Sequence, residues 1–345
     1  MAKTLNGLVS LAQRQTVSGT ELLADLKTLP EGALSPAGST IKNILLANRA
    51  AASPQDLTTV YTPPGALGSP ACRADACCVY KYVAADMAAV FRDASSGECT
   101  ELARQAVRLG FHDAGTWSKT RGGGGADGSI ILATEWLRAE NRGLEAIAAV
   151  VQVWYDLYHP HGASMADLVQ LAANVAAVSC PLGPRVRSFV GRNDSAVPAP
   201  EGLLPDVNAD AASLVALFED KTVVLGELIA LIGAHTASTQ LFVDVLRAGA
   251  PQDSTPGVWD VSWYKETISE SPPPGVFRFP SDVALSRYPG AQDFWTAFSN
   301  AADGQAVWAD GYAGAYVRLS VLGVEHINDL KECTGVLPLP VSKAP

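Results

Sequence analysis

Apolar residues recur at intervals of three and four along most of this chain, which is the spacing of one face of an α-helix. From Val79 onward the pattern predicts helices over residues 80–92, 100–111, 131–139, 144–155, 165–178 and 222–233. Shorter apolar pieces at 22–26 and 41–46 predict short helices near the beginning of the chain. Alternation typical of strands is scarce. The chain is therefore predicted to be mainly α.

Long loops rich in Gly, Pro and Asp separate the predicted helices, at residues 113–129, 181–210 and 249–290. Loops of this length inside a compact domain usually have a function or a ligand that orders them. Binding sites are therefore expected there. A Pro-, Gly- and Ser-rich join over residues 62–71 also separates the first part of the chain from the rest.

Composition and charge exclude several classes of protein. With 345 residues, of which 48% are hydrophobic, the chain can bury a large core and form two lobes. Its net charge of -10 and the lack of a Lys and Arg cluster argue against a nucleic-acid partner. No apolar stretch approaches the roughly 18 uncharged residues of a membrane span. Neither nucleic acid nor membrane is expected as a partner.

The cysteines indicate the redox compartment. Their even number leaves the pairing open, although the adjacent Cys77 and Cys78 are not expected to pair with each other. The six residues are Cys72, Cys77, Cys78, Cys99, Cys180 and Cys333. Three disulfides in a secreted protein are favoured, with any secretion signal removed before residue 1. The alternative is a cytosolic protein with six buried thiols.

The run from Arg108 to Asp113 carries the first candidate chemistry. Arg108 and His112 are four residues apart and share one face of the predicted helix. A fixed positive charge beside a titratable base suits the cleavage of a bond that needs both proton movement and charge stabilisation. Alone, the run is weak evidence, and a surface Arg with a half-buried His on an ordinary amphipathic helix is the favoured interpretation unless other residues support the chemistry.

Two segments are rich in the oxygen ligands that Ca²⁺ prefers. The first offers the Gly125 carbonyl, Asp127 and Ser129, to which Asp113 can add its carboxylate and carbonyl. The second follows His235 and Thr236 in sequence and supplies Asp253, Thr255 and Asp260. Asx-turns with solvated acids are the alternative for either segment.

His235 closes the apolar helix predicted at 223–232. A neutral imidazole is a good axial ligand for iron when its far nitrogen has an acceptor to orient it. A histidine packed in the core is the alternative.

Four motifs resemble those of the class II fungal secretory haem peroxidases, in the plant-peroxidase superfamily. They are Arg-x-x-Phe-His-Asp at 108–113, Gly-Gly-Gly-Gly-Ala-Asp-Gly-Ser at 122–129, Gly-Ala-His-Thr at 233–236 and Asp-Ser-Thr-Pro-Gly-x-x-Asp at 253–260. The resemblance covers residues 72–340 and implies a two-lobed fold with haem between helical domains. Residues 71–195 would form the distal domain and 196–345 the proximal one, and residues 1–70 would be an extension of unknown role.

The resemblance implies a distal haem pocket. Arg108 and His112 would face one side of a single haem b, with Phe111 packed over the porphyrin. Asn141 would accept the proton-bearing nitrogen of His112, and Glu135 would support Asn141 from behind.

The resemblance also implies a proximal side, metal sites and disulfides. His235 would ligate the iron and bond to Asp282. A distal Ca²⁺ would take Asp113, Gly125, Asp127 and Ser129, and a proximal one would take Thr236, Asp253, Thr255, Val258 (through its carbonyl) and Asp260. By the same resemblance the disulfides would be Cys72–Cys78, Cys77–Cys333 and Cys99–Cys180. The family's fourth disulfide has no cysteines in this sequence.

Departures from the family narrow the expected substrates. In the family, three acids hold manganese, and the matching positions in this sequence are Glu101, Gln105 and Leu241. Only one of them is a carboxylate, and a single carboxylate holds Mn²⁺ poorly. The exposed Trp that some members of the family use for long-range oxidation is replaced here by Ala230. Oxidation through a radical on another surface Trp or Tyr is an open alternative. The proximal-pocket position before Asp253 is Gln252, so no redox potential is carried over.

A generic haem peroxidase is therefore expected, secreted and monomeric, which reduces hydrogen peroxide and oxidises phenols or similar small reductants at the haem edge. The rival from another class is a secreted Ca²⁺-stabilised binding or structural protein on the same scaffold without haem. A metal-dependent hydrolase using His112 and Asp113 is a second rival, but adjacent residues point to different sides of a helix. The extension could cover the surface, mediate oligomerisation or be a removable pro-segment.

Overall fold

The structure, a computed structural model, describes residues 21–300 and 302–342. Its α-helices are α1 Pro36–Leu45, α2 Pro70–Arg73, α3 Cys78–Phe91, α4 Glu101–Ala114, α5 Ser129–Leu132, α6 Glu145–Tyr158, α7 Met165–Ser179, α8 Ala211–Glu219, α9 Leu225–Ile232, α10 Ser262–Ile268, α11 Pro280–Ser286, α12 Ala291–Ser299 and α13 Gly304–Leu319. Short antiparallel ladders join β1 Phe189–Val190 to β4 Lys331–Glu332 and β2 Thr239–Gln240 to β3 Ala250–Pro251. The mainly α prediction is confirmed.

Short 3-10 helices connect many of these elements. They are Ala24–Lys27, Glu31–Ala33, Glu135–Leu137, Ala139–Asn141, His159–His161, Gly233–Ala237, Val245–Arg247, Ile327–Asp329 and Thr334–Val336. One predicted helix, 131–139, is wrong, because α5 already ends at Leu132. Thr134 has a φ of 56°, which a continuing helix cannot accommodate. Two 3-10 turns then lead the chain to Asn141.

Helices α4 and α7 pack closely at the centre of the first half of the molecule. Every residue of α7 is buried. A Cβ placed on Gly110 of α4 would lie 2.6 Å from the Cβ of Ala173 on α7, so only glycine permits this approach. Thr100 caps α4 by accepting a hydrogen bond from the backbone N–H of Ala103. Packing and cap together fix the height and rotation of the helix that carries Arg108 and His112.

The second half is built around α9 and α13, with a cluster of buried aromatic rings. Trp308 on α13 stacks on Trp259 at 5.5 Å between ring centroids, and Tyr264 lies edge-on to Trp308 at 5.6 Å. A Cβ on Gly233 would lie 2.6 Å from Nε1 of Trp308. The end of α9 therefore sits directly on this cluster, which supports the turn that follows and its His235.

Residues 21–45 are part of the core of the molecule. Leu26 and Ile41 are buried. The buried guanidinium of Arg318 on α13 donates to the backbone carbonyls of Glu21 and Leu45 and pairs with Glu227 on α9 at 3.0 Å. This part of the predicted 1–70 extension is thus packed against the second half, whereas residues 1–20 of it lie outside the described residues.

A second buried arginine, Arg185, joins the two ends of the described chain. It has no exposed surface. Its guanidinium donates to five backbone carbonyls, which belong to Asp56, Thr59, Thr334, Leu337 and Pro338. Charge-assisted bonds to five acceptors compensate for its desolvation.

The three disulfides are Cys72–Cys78, Cys77–Cys333 and Cys99–Cys180, which confirms the expected pairing. All six cysteines of the chain are in the described residues and none is free. Within the described part of the chain, no helix has the length and apolar character needed to cross a membrane.

Candidate active site

The side chains of Arg108 and His112 meet on one face of α4. Nε of Arg108 donates a hydrogen bond to Nε2 of His112 at 3.1 Å. The two terminal nitrogens of the guanidinium donate to the backbone carbonyls of Arg142, at 2.7 Å, and Glu140, at 3.3 Å. The positive charge is therefore held by the backbone of the second 3-10 turn and of the residue that follows it.

A chain of hydrogen bonds fixes which nitrogen of His112 carries the proton. The carbonyl of Glu135 can only accept, so Nδ2 of Asn141 donates to it, at 2.8 Å. Oδ1 of Asn141 then accepts from Nδ1 of His112 at 2.7 Å. The lone pair of His112 is left on Nε2, where it faces Arg108.

The predicted role of Glu135 differs in detail from the arrangement found. Glu135 meets Asn141 through its backbone carbonyl. Its buried carboxylate accepts hydrogen bonds from Arg138, at 3.1 Å, and from the N–H of Ala199, at 2.7 Å. Glu135 thus anchors the 3-10 turn, and the turn supplies the carbonyl.

The surroundings keep His112 neutral. Its burial, and secondly the charge of Arg108, hold the pKa of His112 well below the ordinary 6.5, although the bond to Asn141 acts in the opposite direction. Burial also lowers the pKa of Arg108 to about 10, which leaves the guanidinium charged at neutral pH. A neutral base and a fixed positive charge thus lie side by side.

Phe111 borders this pair of residues. Its ring lies edge-on to the ring of His112, with centroids 5.8 Å apart, and stacks on Phe218 at 6.1 Å. The ring is half-buried. Phe111 can therefore cover a flat ligand beside His112 without moving.

His235 lies in the 3-10 turn after α9 and is oriented by Asp282. Its Nδ1 is 2.9 Å from Oδ2 of the buried Asp282 carboxylate, which accepts the imidazole proton and leaves Nε2 available as a ligand. Trp263 and Phe279 stand edge-on to the ring at 5.8 and 5.5 Å between centroids. One third of the side chain is exposed.

Sequence reasoning missed both aromatic neighbours of His235. Trp263 occurs three residues after Asp260, and Phe279 occurs three residues before Asp282. These short intervals from predicted site residues were the available signals.

Gln252 is buried and only partly satisfied. Its Oε1 accepts a hydrogen bond from the hydroxyl of Ser238 at 2.5 Å. Its Nε2 has no partner within the described chain. A buried donor of this kind is costly unless another group meets it.

Asp113, at the end of α4, is hydrogen-bonded to the segment that carries the other predicted distal calcium residues. Both oxygens of the Asp113 carboxylate accept backbone N–H groups, from Gly128 and Ile130. Burial, and then the nearby Asp127, raise the pKa of Asp113 well above its ordinary value. The buried hydroxyl of Ser129 has no hydrogen-bond partner among the described residues. A buried hydroxyl oxygen without a hydrogen bond, close to two carboxyl groups, is suited to act as a ligand of a hard cation.

The predicted proximal calcium residues also converge. The Thr236 hydroxyl donates a hydrogen bond to the Asp253 carboxylate and lies 3.5 Å from the Val258 carbonyl. The Thr255 hydroxyl lies 3.2 Å from the Asp260 carboxylate. Burial is the largest cause that raises the pKa of Asp253 to about 7. No trio of His, Cys, Asp or Glu suited to a metal occurs in the described segments. Both predicted donor sets combine carboxylates with hydroxyls and carbonyls, which are the kinds of oxygen ligand that Ca²⁺ accepts.

The residues that occupy the family's manganese and exposed-Trp positions differ in their exposure. The amide of Gln105 donates to Glu101 at 3.2 Å, and the side chain of Leu241 is 37% exposed. Ala230 is buried in α9. A larger side chain at position 230 would point into the core, so no exposed ring could be presented there.

Comparisons with known proteins show which family this chain belongs to. The family model described as "Peroxidase" matches residues 83–301. The chain is 32% identical over 290 residues to a peroxidase of Arthromyces ramosus, covering 77% of each chain. It is 32% identical to ligninase C of Trametes versicolor, covering 71% of each chain. It is 31% identical to a manganese peroxidase of Phanerodontia chrysosporium, covering 77% of this chain and 74% of the relative.

Proposed function

Because this chain belongs to the peroxidase family and is a haem peroxidase, we propose that His112, Arg108 and Asn141 activate hydrogen peroxide opposite His235. The reductants are phenols or other small molecules that donate one electron at a time at the haem edge. The single observation that carries the proposal is the hydrogen-bond chain from the Glu135 carbonyl to Arg108, which leaves the lone pair on Nε2 of His112.

His235 is the residue that would hold haem b on the proximal side. Its Nε2 would ligate the iron, while Asp282 keeps the proton on Nδ1 and fixes the orientation of the ring. Haem, when bound, supplies the redox chemistry that no side chain provides.

On the distal side, Nε2 of His112 takes a proton from one oxygen of the peroxide and returns it to the other oxygen. Asn141 holds the imidazole through Nδ1 during both transfers. The Arg108 guanidinium stabilises the negative charge that develops on the departing oxygen. Phe111 keeps solvent away from one side of the site.

The same residues argue against the binding-protein alternative. A scaffold without catalysis has no need of a buried histidine held neutral beside a guanidinium. Desolvating both groups costs free energy, and the chain retains them together with Asn141 and Asp282.

Phenols are favoured over manganese because Glu101 is the only acid at the three compared positions. Long-range oxidation through position 230 is disfavoured since Ala230 is buried. The orphaned Ser129 hydroxyl and the acids around Thr236 support one Ca²⁺ on each side of the haem. We also propose a secreted monomer, which the three disulfides support in part.

The test is a stopped-flow absorption measurement of the haem-loaded protein mixed with H₂O₂. The His112→Ala variant should react about two to four orders of magnitude more slowly, which is the usual effect of removing a positioned base. His326→Ala, at an exposed position, is the control and should react at the parental rate. A His112→Ala variant as fast as the parent would remove this histidine from the reaction. Failure of the parent to bind haem would favour the binding-protein alternative.

A further inference from the structure

Residues 21–49, the N-terminal segment, lie along one side of α13. Asp310, Gly314 and Arg318 are spaced four residues apart on that helix, so they share one face. Arg49 pairs with Asp310 at 3.2 Å, and a Cβ placed on Gly314 would lie 2.6 Å from Nη2 of Arg49. The N-terminal segment thus fits closely against α13 over about two turns of helix.

Arg318 is the point at which the N-terminal segment meets α9. Its fully buried guanidinium donates to the carbonyls of Glu21, at 2.9 Å, and Leu45, at 2.8 Å. Its Nε donates to the carboxylate of Glu227 on α9 at 3.0 Å. A buried guanidinium needs such acceptors, because its desolvation is costly. Two carbonyls of the N-terminal segment and one carboxylate of α9 therefore bind the same group.

Glu227 fixes the start of α9, and α13 also holds its end. Oε2 of Glu227 accepts the backbone N–H of Val224 at 3.1 Å, which caps the helix. At the other end, Nε1 of Trp308 donates to the carbonyl of Ala230 at 2.9 Å. Since Trp308 and Arg318 both belong to α13, α9 is attached to α13 near each of its ends.

His235 follows directly from α9. It lies in the 3-10 turn Gly233–Ala237, eight residues after Glu227, which is about 12 Å at the rise of an α-helix. A short helix in a closely packed interior moves as a unit, so a displacement of Glu227 reaches this turn. The acceptor of the His235 proton, Asp282, belongs to α11 and would not move with α9. The position of α9 therefore sets where His235 stands relative to Asp282.

We propose that the N-terminal segment positions His235 as the iron ligand, by holding α9 through Arg318 and Glu227. Arg318 is thus a positioning residue of the proximal side. This inference rests on the proposed function, in which His235 ligates the iron. The N-terminal segment precedes residues 83–301, which the family model matches. Loosening it should weaken the hold on haem, although none of its residues named here contacts His235 or Asp282.

Release of haem is measured first, by mixing the ferric haem-loaded protein with excess apomyoglobin. Ile41→Ala loosens the N-terminal segment, because Ile41 is a fully buried residue of α1, which packs on α13. Haem should be released about 10-fold faster, the lower end of the effect of changing a group behind a metal ligand. Ile147→Ala is the matched control, since it makes the same change at an equally buried position of α6. Its release rate should stay at the parental value.

The bond between iron and histidine is examined next, by resonance Raman spectroscopy of the ferrous haem-loaded protein. The iron–histidine stretching band should shift in Ile41→Ala and in Glu227→Gln, and stay in place in Ile147→Ala. Glu227→Gln keeps an oxygen for the Val224 N–H and removes the charge opposite Arg318. With 22% of its side chain exposed, Glu227 also offers a test if Ile41→Ala fails to fold. In the double variant Ile41→Ala should add little to Glu227→Gln, because both changes act through Arg318.

Equal rates of haem release from Ile41→Ala and Ile147→Ala would overturn the inference. An iron–histidine band that is unchanged in both Ile41→Ala and Glu227→Gln would also overturn it, while leaving the proposed function intact. Fully additive effects in the double variant would contradict the path through Arg318. A parent that binds haem but shows no iron–histidine band would refute the proposed role of His235, and the inference with it.

Discussion

Arg108 donates a hydrogen bond through Nε to Nε2 of His112, the nitrogen that must stay unprotonated for this histidine to act as a base. The guanidinium therefore has two effects. It repels a proton from Nε2 before peroxide arrives, and it stabilises negative charge once peroxide is there.

The first prediction concerns acid pH. Since burial and Arg108 hold the pKa of His112 well below 6.5, the rate of the peroxide reaction should stay constant as the pH falls through 6.5. It should decline only at lower pH, when the imidazole gains its proton. The pH dependence of the second-order rate constant, by stopped flow, checks this.

Two variants should move that decline in opposite directions. Arg108→Leu removes a charge that lowers the pKa of His112, so the decline should move up in pH, and the rate should also fall by about 10²- to 10³-fold at every pH. Asn141→Leu removes the hydrogen bond that favours the protonated form, so the decline should move down. Shifts in the same direction would contradict the assigned hydrogen-bond chain.

The second prediction concerns calcium. Chelation should lower the thermal midpoint and alter the haem absorption, because the proposed ions tie loops to Asp113 at the end of α4 and to Thr236 beside His235. With free Ca²⁺ at about 100 times its Kd, the stabilisation lost is about 2.7 kcal/mol for each site. Ca²⁺ should restore both properties, and Mg²⁺ should not, because it demands tighter octahedral geometry. Unchanged stability and spectrum after verified removal would refute both sites.

The third prediction concerns Lys221, a fully buried lysine whose Nζ donates to the carbonyl of Trp117 at 2.9 Å. Burial lowers its pKa from 10.5 to about 8. Between these two values the unfolded chain holds the proton and the folded chain does not, so stability rises with pH across that window. Below pH 8 both states are protonated, and the buried charge costs about 3 kcal/mol.

Lys221→Met should therefore raise the free energy of unfolding at pH 7. The gain is about 2 kcal/mol after the lost hydrogen bond is counted. The advantage should shrink as the pH approaches 10. Urea unfolding at pH 7 and pH 9.5 measures it, and Lys119→Met, with 43% of its side chain exposed, is the matched control with little effect. An advantage that grows with pH would contradict the assigned protonation.

The fourth prediction tests whether residues 21–45 fold together with the rest of the molecule. Ile41→Ala removes a fully buried side chain of α1 and should destabilise the whole protein by about 2–5 kcal/mol. Leu46→Ala, at a position 36% exposed, should cost much less. A single unfolding transition shifted only by the first change is the expected result. A separate early transition would show that the segment unfolds independently.

Helix positions were predictable where one face of a helix is buried. Periodicity predicted 100–111 and 165–178, and the structure has α4 over Glu101–Ala114 and α7 over Met165–Ser179. Periodicity failed at 131–139, since apolar residues recur there across a turn at Thr134 whose φ is positive. Local spacing carries no information about such a turn.

Contacts between residues that are far apart in the sequence could not be predicted from the pattern of apolar and polar residues. The cysteine count alone left the pairing open, and the family resemblance supplied it. Nothing near Glu21 or Leu45 indicates that their carbonyls bind Arg318, more than 270 residues away. The contact of Phe242 with Arg142 likewise joins separate loops. For the site residues the resemblance gave candidates, and the structure gave their geometry.

Arg185 has a consequence for the order of assembly. Two of its carbonyl partners, on Asp56 and Thr59, are synthesised before it, and the other three follow Cys333. A growing chain therefore holds a guanidinium with an incomplete set of acceptors until residues 334–338 are synthesised, and burying it earlier is costly. We expect the core around Arg185 to close only after the turn at residues 334–338 has been synthesised, and the Cys77–Cys333 bond to form only when that turn is in place.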